Sequence, residues 1–390
     1  MISLSVIVTV VAVLVVGFFG AAIWKFTCRL LAGSIGAAIV AFVGVFAASC
    51  VSLYSGPLVT QGAPVVKELL SDFTPPVNWE IKLTLFLIAL AVFLIAVREI
   101  GLGTVLKTRA RELDERISSL PPQDFLNYYG QGLREIGIIR RDTKIKYADK
   151  KLTPADLEKA IRVVMKHVLG MAKLWDGIST SSDDNIIYRS NIMMVVPPAL
   201  MGDIKRDAAS YESLVINSPF FLYGDNFSSR LDNSTGLLMI ENNNYTVTSA
   251  SKGSEPDPKV QPLCLPYASS SHKQPNLPGA PEACVSQTAK YVFNTVVEMD
   301  SWLNGLSHRE NRFDRRFDSG VRSYYSEAKH AQSILSIPVI VQGKTMAVLN
   351  IYRNKENIFK GDDRAQQFVA LMNPVCYHIG KMLSLASKIA

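Results

Sequence analysis

Long apolar runs without charge dominate the first hundred positions of the chain. Residues 1–24 and 30–66 contain no Asp, Glu, Lys or Arg, and a third charge-free run covers residues 83–97. A helix of roughly 20 mostly apolar residues crosses a hydrocarbon core about 30 Å thick. The pattern therefore predicts three membrane-spanning helices, near Leu4–Trp24, Leu30–Tyr54 and Trp79–Ile100.

Basic residues are unevenly distributed around these segments. Lys25 and Arg29 separate the first two, Lys67 is the one basic residue of the second loop, and Arg98, Lys107, Arg109, Arg111 and Arg116 follow the third. Cytoplasmic flanks of spans carry the excess of Lys and Arg. We therefore expect a multi-pass protein of the cell inner membrane, with its N-terminus outside and its large C-terminal domain in the cytoplasm.

An amphipathic pattern follows the third apolar run. Its apolar positions alternate steps of four and three, as in a coiled-coil seam, and are Leu106, Ala110, Leu113, Ile117 and Leu120. Pro121-Pro122 ends this pattern. Such a stripe can face a second copy, or it can pack on the chain's own domain or on the bilayer.

A second helix is predicted to begin at Thr153. Thr153 is a favoured N-cap residue, and Pro154 suits the first helical position. Asp156, three residues after the cap, can form a reciprocal hydrogen bond with it. The apolar stripe that follows is Leu157, Ile161, Val164, Val168, Met171 and Trp175. A stripe of this kind usually faces a core, and it could also face a second copy. We expect a homodimer through helices 104–120 and 153–176.

Beyond residue 185 the spacing of apolar residues changes from the helical pattern to the alternation typical of strands. Strands are predicted at Ile186–Val196, Gly236–Glu241, Tyr245–Thr248, Leu263–Tyr267, Ser333–Val341 and Thr345–Tyr352, and a closing amphipathic helix at Asp362–Ser387. The second and third strands are expected to form one hairpin, and the last two another. This order predicts an α+β domain with helices on one side of an antiparallel sheet. The chain then divides into a transmembrane region, 1–100, a helical linker, 101–152, and a domain, 153–390.

The end of this domain resembles a GAF domain. Ser333–Tyr352 is similar to the "IPV…G…GVL" hairpin of that family, and Phe359 and Asp362-Asp363 to the "F…D" turn before its last helix. Pro278–Ala283 is similar to a segment that precedes the lid of some members. The resemblance covers roughly residues 153–388 and implies a cytosolic ligand-binding or dimerisation module. Ala347 stands where the family often has Gly.

One subgroup of the family binds cyclic nucleotides through an Asn-Lys, Phe, Asp-Glu pattern. Asn354-Lys355, Phe359 and Asp362-Asp363 are similar to it, with shorter spacing and Asp in place of Glu. The alternative is a loop in which a Lys–Asp pair caps the closing helix.

Composition excludes several classes of function. The net charge of +7 is partly explained by the basic residues after the third span, which suit anionic lipid headgroups better than nucleic acid. The five cysteines form no Cys-x-x-Cys pair, and the five histidines are not spaced as metal ligands. No nucleophile elbow or phosphate-binding Gly-rich loop occurs. We expect no enzyme activity, no catalytic residues and no metal site, and the sequence does not identify whether a cofactor is used.

The strongest candidate for a binding site is a cluster of arginines within residues 308–322. The guanidinium groups belong to Arg309, Arg312, Arg315, Arg316 and Arg322. Arginine binds phosphate and carboxylate through two parallel hydrogen bonds. The cluster predicts an anionic small molecule or a nucleotide as ligand, and a solvated helix with interspersed charges is the alternative.

Three functions remain open at this point. The first is a membrane-anchored cytoplasmic sensor of a small ligand, without catalytic output. The second is an effector whose spans disrupt the membrane when a nucleotide signal binds, as in bacterial defence. The third is a docking platform without a ligand.

Overall fold

A computed structural model describes Gly20, Trp24 and residues 26–56, 59–60, 79–178, 185–269, 274–307, 315–327 and 331–389. The chain divides into two compact units, Met1–Leu120 and Pro121–Ala390. The second unit therefore begins about thirty residues before the domain boundary expected from the sequence.

The first unit contains two long apolar helices, α1 (Ser34–Leu53) and α2 (Trp79–Ser119). Both are long and apolar enough to cross a membrane. They correspond to the second and third predicted spans. The part of the chain that the structure describes thus holds two such helices, not three. The first predicted span, Leu4–Trp24, lies outside the described residues except for Gly20 and Trp24.

Helix α2 continues without interruption from the apolar run into the amphipathic run. The third predicted span and the predicted seam after residue 104 are one helix, which ends at Ser119 before the two prolines. Residues 26–32 pack closely on it, because a Cβ added at Gly101 would collide with the carbonyl oxygen of Cys28. Cys28 and Leu31 are buried against Val97 in the same contact.

The second unit is built on an antiparallel sheet. Its strands are β1 (Tyr188–Val196), β2 (Gly236–Ile240), β3 (Thr246–Thr248), β4 (Leu263–Tyr267), β5 (Lys290–Val292), β6 (Ser333–Val341) and β7 (Lys344–Arg353). The order is β4-β2-β1-β7-β6-β5, and β3 also pairs with β1. The mixed helix-and-sheet class predicted from the sequence is confirmed.

One of the two predicted hairpins is present in the structure and the other is not. Strands β6 and β7 pair as expected, around Gln342 and Gly343, whose positive φ angles suit a tight hairpin turn. Strands β2 and β3 do not pair with each other. Both lie along β1, with Met239 opposite Met194 and Thr248 opposite Arg189. A turn of 3-10 helix at Asn243–Tyr245 separates them instead of a hairpin loop.

Three long helices cover one face of the sheet: α3 (Gln123–Ala148), α4 (Pro154–Trp175) and the last helix of the chain, Asp362–Ile389, here α11. The cap of α4 is as predicted, since the Asp156 N–H donates to Oγ1 of Thr153 at 3.1 Å. The apolar stripe of α4 is buried in this core. This stripe is therefore not available to a second copy, and association through 153–176 stays a prediction that would use the exposed face of the helix.

The other helices of the second unit are short and lie on both sides of the sheet. They are α5 (Met201–Arg206), α6 (Ala208–Ile216), α7 (Phe227–Asp232), α8 (Ala280–Ser286), α9 (Thr295–Ser307) and α10 (Arg315–Glu327). Helices α5 to α7 pack on Leu237, Met239 and Cys264. Helices α8 to α10 pack on the opposite face, against Met193, Leu238 and Val348. The expectation that the helices lie on one side of the sheet is corrected, because α8, α9 and α10 cover the second side.

Candidate functional site

A cavity of about 200 Å³ lies between the second face of the sheet and the segments that cover it. Its floor is formed by β1, β6 and β7, and its walls by α10, by Pro278–Pro281 and by residues 259–263. The segment that resembles the approach to a GAF lid, Pro278–Ala283, therefore contributes four of its residues to this cavity. A more open depression of about 660 Å³ adjoins it, and Pro262, Leu263 and Tyr324 line both.

Three polar side chains form a row across the floor of the cavity. Ser336, Asn350 and Asn191 lie directly opposite one another on β6, β7 and β1. Ser336 Oγ donates to Asn350 Oδ1 at 2.7 Å, and Asn350 Nδ2 donates to Asn191 Oδ1 at 2.8 Å. Sequence reasoning missed this row. The available signal was a polar residue at an inward position of each strand.

An aromatic wall faces this polar row. Phe220 packs edge-on against Tyr324, with ring centroids 4.9 Å apart, and Tyr324 packs against Tyr325 at 5.2 Å. Burial raises the pKa of both tyrosines above its usual value. Burial also raises the pKa of Tyr352, whose hydroxyl is hydrogen-bonded to Asn191. All three phenols are therefore neutral at physiological pH, and the cavity has an uncharged, largely apolar interior.

The cavity loop, which we define as Ser249–Pro262, carries Lys259 to the mouth of the cavity. Arg189 of β1 and Asp257 of the loop form a buried ion pair. Asp257 also accepts a hydrogen bond of 3.0 Å from the Lys259 N–H, and its own N–H donates to Thr246 Oγ1 at 2.8 Å. The loop is thus fixed to the sheet two residues before Lys259.

Helix α4 holds the other end of the cavity loop. Arg162 Nε donates to the carbonyl oxygen of Ser254 at 2.9 Å. Lys166 Nζ donates to the carbonyl oxygens of Thr248, at 2.7 Å, and of Ser251. Burial lowers the pKa of Lys166, and the negative charge of Glu255 opposes this shift. The loop therefore contacts both the cavity and the helical layer on the other face of the sheet.

Helix α4 in turn packs closely on α3. A Cβ at Gly170 would collide with the hydroxyl end of Tyr128, and one at Gly132 would lie 2.7 Å from Cε of Met171. His167 of α4 and Glu135 of α3 lie 3.1 Å apart. Helix α3 follows α2 in the chain after Pro121-Pro122. A continuous series of contacts therefore leads from the cavity loop to the helix that follows the apolar region.

The predicted arginine cluster is only partly described. Arg309 and Arg312 lie outside the described residues, and the backbone of Arg315 and Arg316 begins α10, with their side chains outside the described part. Arg322 donates to Asp318 at 2.9 Å, to Asn304 at 3.0 Å and to Asp300. Its guanidinium thus joins α9 to α10 and does not line the cavity. Helix α10 contributes Tyr324 and Tyr325 there instead.

The pattern similar to a cyclic-nucleotide motif lies away from the cavity. Asn354 Oδ1 accepts from the Ile187 N–H at 2.7 Å, and Asn354 Nδ2 donates to the Asn185 carbonyl at 2.8 Å. Phe359 is fully buried and stacks on Phe368 at 4.5 Å. Asn354 thus joins the end of β7 to the segment before β1, and Phe359 packs on α11, so these two residues have structural contacts.

A buried acid stabilises the same corner of the domain. Asp176 follows α4 and accepts hydrogen bonds from Arg353 Nη1 at 2.8 Å, from the Phe359 N–H at 2.7 Å and from the Tyr188 hydroxyl. Burial raises the pKa of Asp176, and the positive charge of Arg353 opposes this shift. Each partner comes from a different element, so we assign this cluster to stability.

The described residues show no arrangement typical of metal or thiol chemistry. No group of three or more His, Cys, Asp or Glu side chains within them could hold a metal ion. All five cysteines are buried and unpaired, and burial raises the pKa of the Cys284 and Cys376 thiols to about 12. These two thiols are therefore protonated and weakly nucleophilic at neutral pH.

Comparison of the chain with protein-family models, with curated proteins and with solved structures finds no match. Assignment of function therefore depends on the geometry of the cavity and its contacts.

Proposed function

We propose that this protein is a membrane-anchored, cytoplasmic sensor of a small ligand, with no catalytic output of its own. The observation that carries the proposal is the double attachment of the cavity loop. Lys259 lies at the cavity, while the carbonyl groups of Ser251 and Ser254 are held by Lys166 and Arg162 of α4. A ligand that displaces the loop must disturb hydrogen bonds on a helix outside the cavity.

The likeness of the last hairpin and helix to a GAF domain supports the same proposal. So do the antiparallel sheet, the cavity on one of its faces and the contribution of Pro278–Pro281 to the wall. Helices α1 and α2 would hold the domain at the bilayer, with the basic residues after residue 97 on the cytoplasmic side. Displacement of α4 would pass to α3 and from there along the chain to α2.

The experiment uses the full chain purified in lipid nanodiscs. Denatured protein is analysed by mass spectrometry for small molecules released from it. The variant Ala331→Phe fills part of the cavity, because Ala331 is buried in its wall. Val297→Phe is the matched control, since Val297 is half exposed on α9 and does not line the cavity. We expect a released compound from the parent chain and from Val297→Phe, and none from Ala331→Phe.

A membrane-potential dye separates the sensor from the membrane-disrupting effector. Cells that overproduce the full chain together with the released compound should keep their potential if the protein is a sensor. Collapse of the potential in the parent chain but not in Ala331→Phe would favour the effector instead. A cavity that holds nothing in any variant would favour the docking platform.

A further inference from the structure

We propose that the ligand of this cavity is an amphipathic monocarboxylate, an aromatic or branched aliphatic acid whose carboxylate lies at Lys259 and whose body lies against Phe220 and Tyr324. This inference rests on the proposed sensor function and narrows it from a small ligand to one chemical class. In this proposal a single lysine, and not the arginine cluster, supplies the positive charge that binds the anionic group of the ligand.

The size and lining of the cavity select the body of the ligand. Sites for drug-sized molecules have volumes of about 300–1,000 Å³, so a cavity of about 200 Å³ suits a molecule with one ring or a short branched chain. Phe220, Tyr324 and Tyr325 supply ring surface. Met193, Ile240 and Leu265 complete an apolar wall. A ring between these groups gains both area burial and edge-to-face contact.

The polar row offers a hydrogen-bond donor to the ligand. An asparagine amide carries two N–H hydrogens. Within the described residues, Asn350 Nδ2 gives one of them to Asn191 Oδ1. Its oxygen already accepts from Ser336. Asn350 lines the cavity and keeps only 5% of its surface exposed, so a ligand bound there can give its second N–H an acceptor. A carbonyl, ether or hydroxyl oxygen on the body of the ligand would be such an acceptor.

The charge balance of the cavity selects a single negative charge. Among the described residues that line it, Lys259 is the one ionised side chain, and none is a carboxylate. The nearby carboxylate of Asp257 is already paired with Arg189. A phosphate group carries about two charges near neutral pH. Because Arg322 is engaged by Asp300 and Asp318, it cannot supply the second cation that a nucleotide phosphate needs.

The test measures the melting temperature of the full chain in nanodiscs of zwitterionic phosphatidylcholine. The probes are phenylacetate, its neutral amide phenylacetamide, and phenyl phosphate. Lys259→Met removes the charge of an exposed side chain and leaves the buried ion pair intact. Lys252→Met is the matched control, an exposed lysine in the same loop that does not line the cavity.

We expect phenylacetate to raise the melting temperature of the parent chain and of Lys252→Met. In Lys259→Met its dissociation constant should rise about fivefold, the effect of losing one exposed ion pair, and Lys259→Arg should restore most of it. Phenylacetamide should bind more weakly than phenylacetate and equally to the parent chain and to Lys259→Met.

Three results would each overturn the class assignment without overturning the sensor function. The first is equal stabilisation by phenylacetamide or phenyl phosphate, and the second is a released natural compound without a carboxylate. The third is stabilisation by phenylacetate that is unchanged in Lys259→Met. If no compound is released from the parent chain and no probe changes its melting temperature, the sensor function fails together with the inference.

Discussion

Arg189 and Asp257 form an ion pair that is almost fully enclosed by the second unit. Nε of Arg189 lies 2.7 Å from Oδ2 of Asp257, and the two side chains keep 5% and 1% of their surface exposed. Removing one partner of such a pair leaves an uncompensated buried charge, which typically costs about 3–5 kcal/mol. The ion pair therefore fixes the cavity loop strongly to β1.

Arg189→Met should lower the free energy of unfolding of the second unit by about 3–5 kcal/mol. Urea unfolding of the full chain in detergent, followed by tryptophan fluorescence, measures the change. Lys205→Met is the control, because Lys205 pairs with Asp232 on the surface and its loss should cost at most about 1 kcal/mol. Equal effects of the two substitutions would contradict the assigned role of Asp257.

Gly170→Ala should destabilise the contact between α3 and α4. The added methyl group collides with the ring end of Tyr128, which is too stiff to move aside easily. We expect a loss of about 1–3 kcal/mol, as for other overpacked cores. Gly132→Ala should cost less, because the atom it meets is the flexible end of Met171.

Gly137→Ala provides the matched control in the same pair of helices. Gly137 lies inside α3, and no atom comes within 4 Å of the position of a Cβ there. Alanine favours a helix over glycine by about 0.5–1 kcal/mol. Gly137→Ala should therefore raise the melting temperature while Gly170→Ala lowers it. A rise in both would show that α3 and α4 are not in close contact at Gly170.

Acid should weaken the second unit through His167. Burial lowers the pKa of His167, and Glu135 opposes this shift. Because the unfolded chain then binds a proton more readily than the folded chain, stability falls as the pH drops through about 6.5 and below. His167→Gln should reduce the loss of melting temperature between about pH 7.5 and about pH 5.5, and Glu135→Gln should enlarge it. Differential scanning fluorimetry at the two pH values measures both.

Gly101→Ala should disturb the packing of the first unit. The new methyl group would collide with the carbonyl oxygen of Cys28, a backbone atom that can move only with its helix. Gly103→Ala is the control, since no atom lies within 4 Å of its Cβ position. We expect Gly101→Ala to lower the temperature at which the detergent-solubilised chain aggregates. An unchanged temperature would show that residues 26–32 do not contact α2 in the solubilised chain.

Self-association through α2 stays a prediction that can be measured directly. Leu106, Leu113 and Leu120 recur every seven residues and keep 61%, 58% and 65% of their surface exposed. Leu113→Ser should reduce the fraction of dimer seen by mass photometry in detergent. Leu126→Ser, at an exposed leucine of α3, should leave that fraction unchanged. If both variants give the dimer fraction of the parent chain, α2 does not mediate association.

Strong periodic patterns and caps were sufficient to predict much of the second unit. Helix α4 begins at Pro154 as its cap predicts, β4 has the predicted ends, and the β6–β7 hairpin turns at Gln342-Gly343. Helix α3 was not predicted as part of the domain. Its buried face uses Gly132 and Thr143 beside Phe125 and Ile136, so a search for apolar residues finds only half of the stripe.

The cavity could not be predicted because its residues come from distant segments that only the fold brings together. Ser336 and Asn350 are neighbours across a hairpin, while Asn191 lies about 150 residues earlier. The arginines attracted attention because they are close in sequence. The single described guanidinium among them, that of Arg322, is engaged in joining two helices.

The hydrogen-bonded row of Ser336, Asn350 and Asn191 has a consequence for how the strands align during folding. A shift of one residue between any two of these strands would turn one of these polar side chains toward the helical layer, where the described residues that pack on the sheet are mainly apolar. The same shift would leave its former partner without a bond in a dry interior. The three side chains thus favour the correct strand register. A domain that folds with a shifted register would lack the polar row of the cavity.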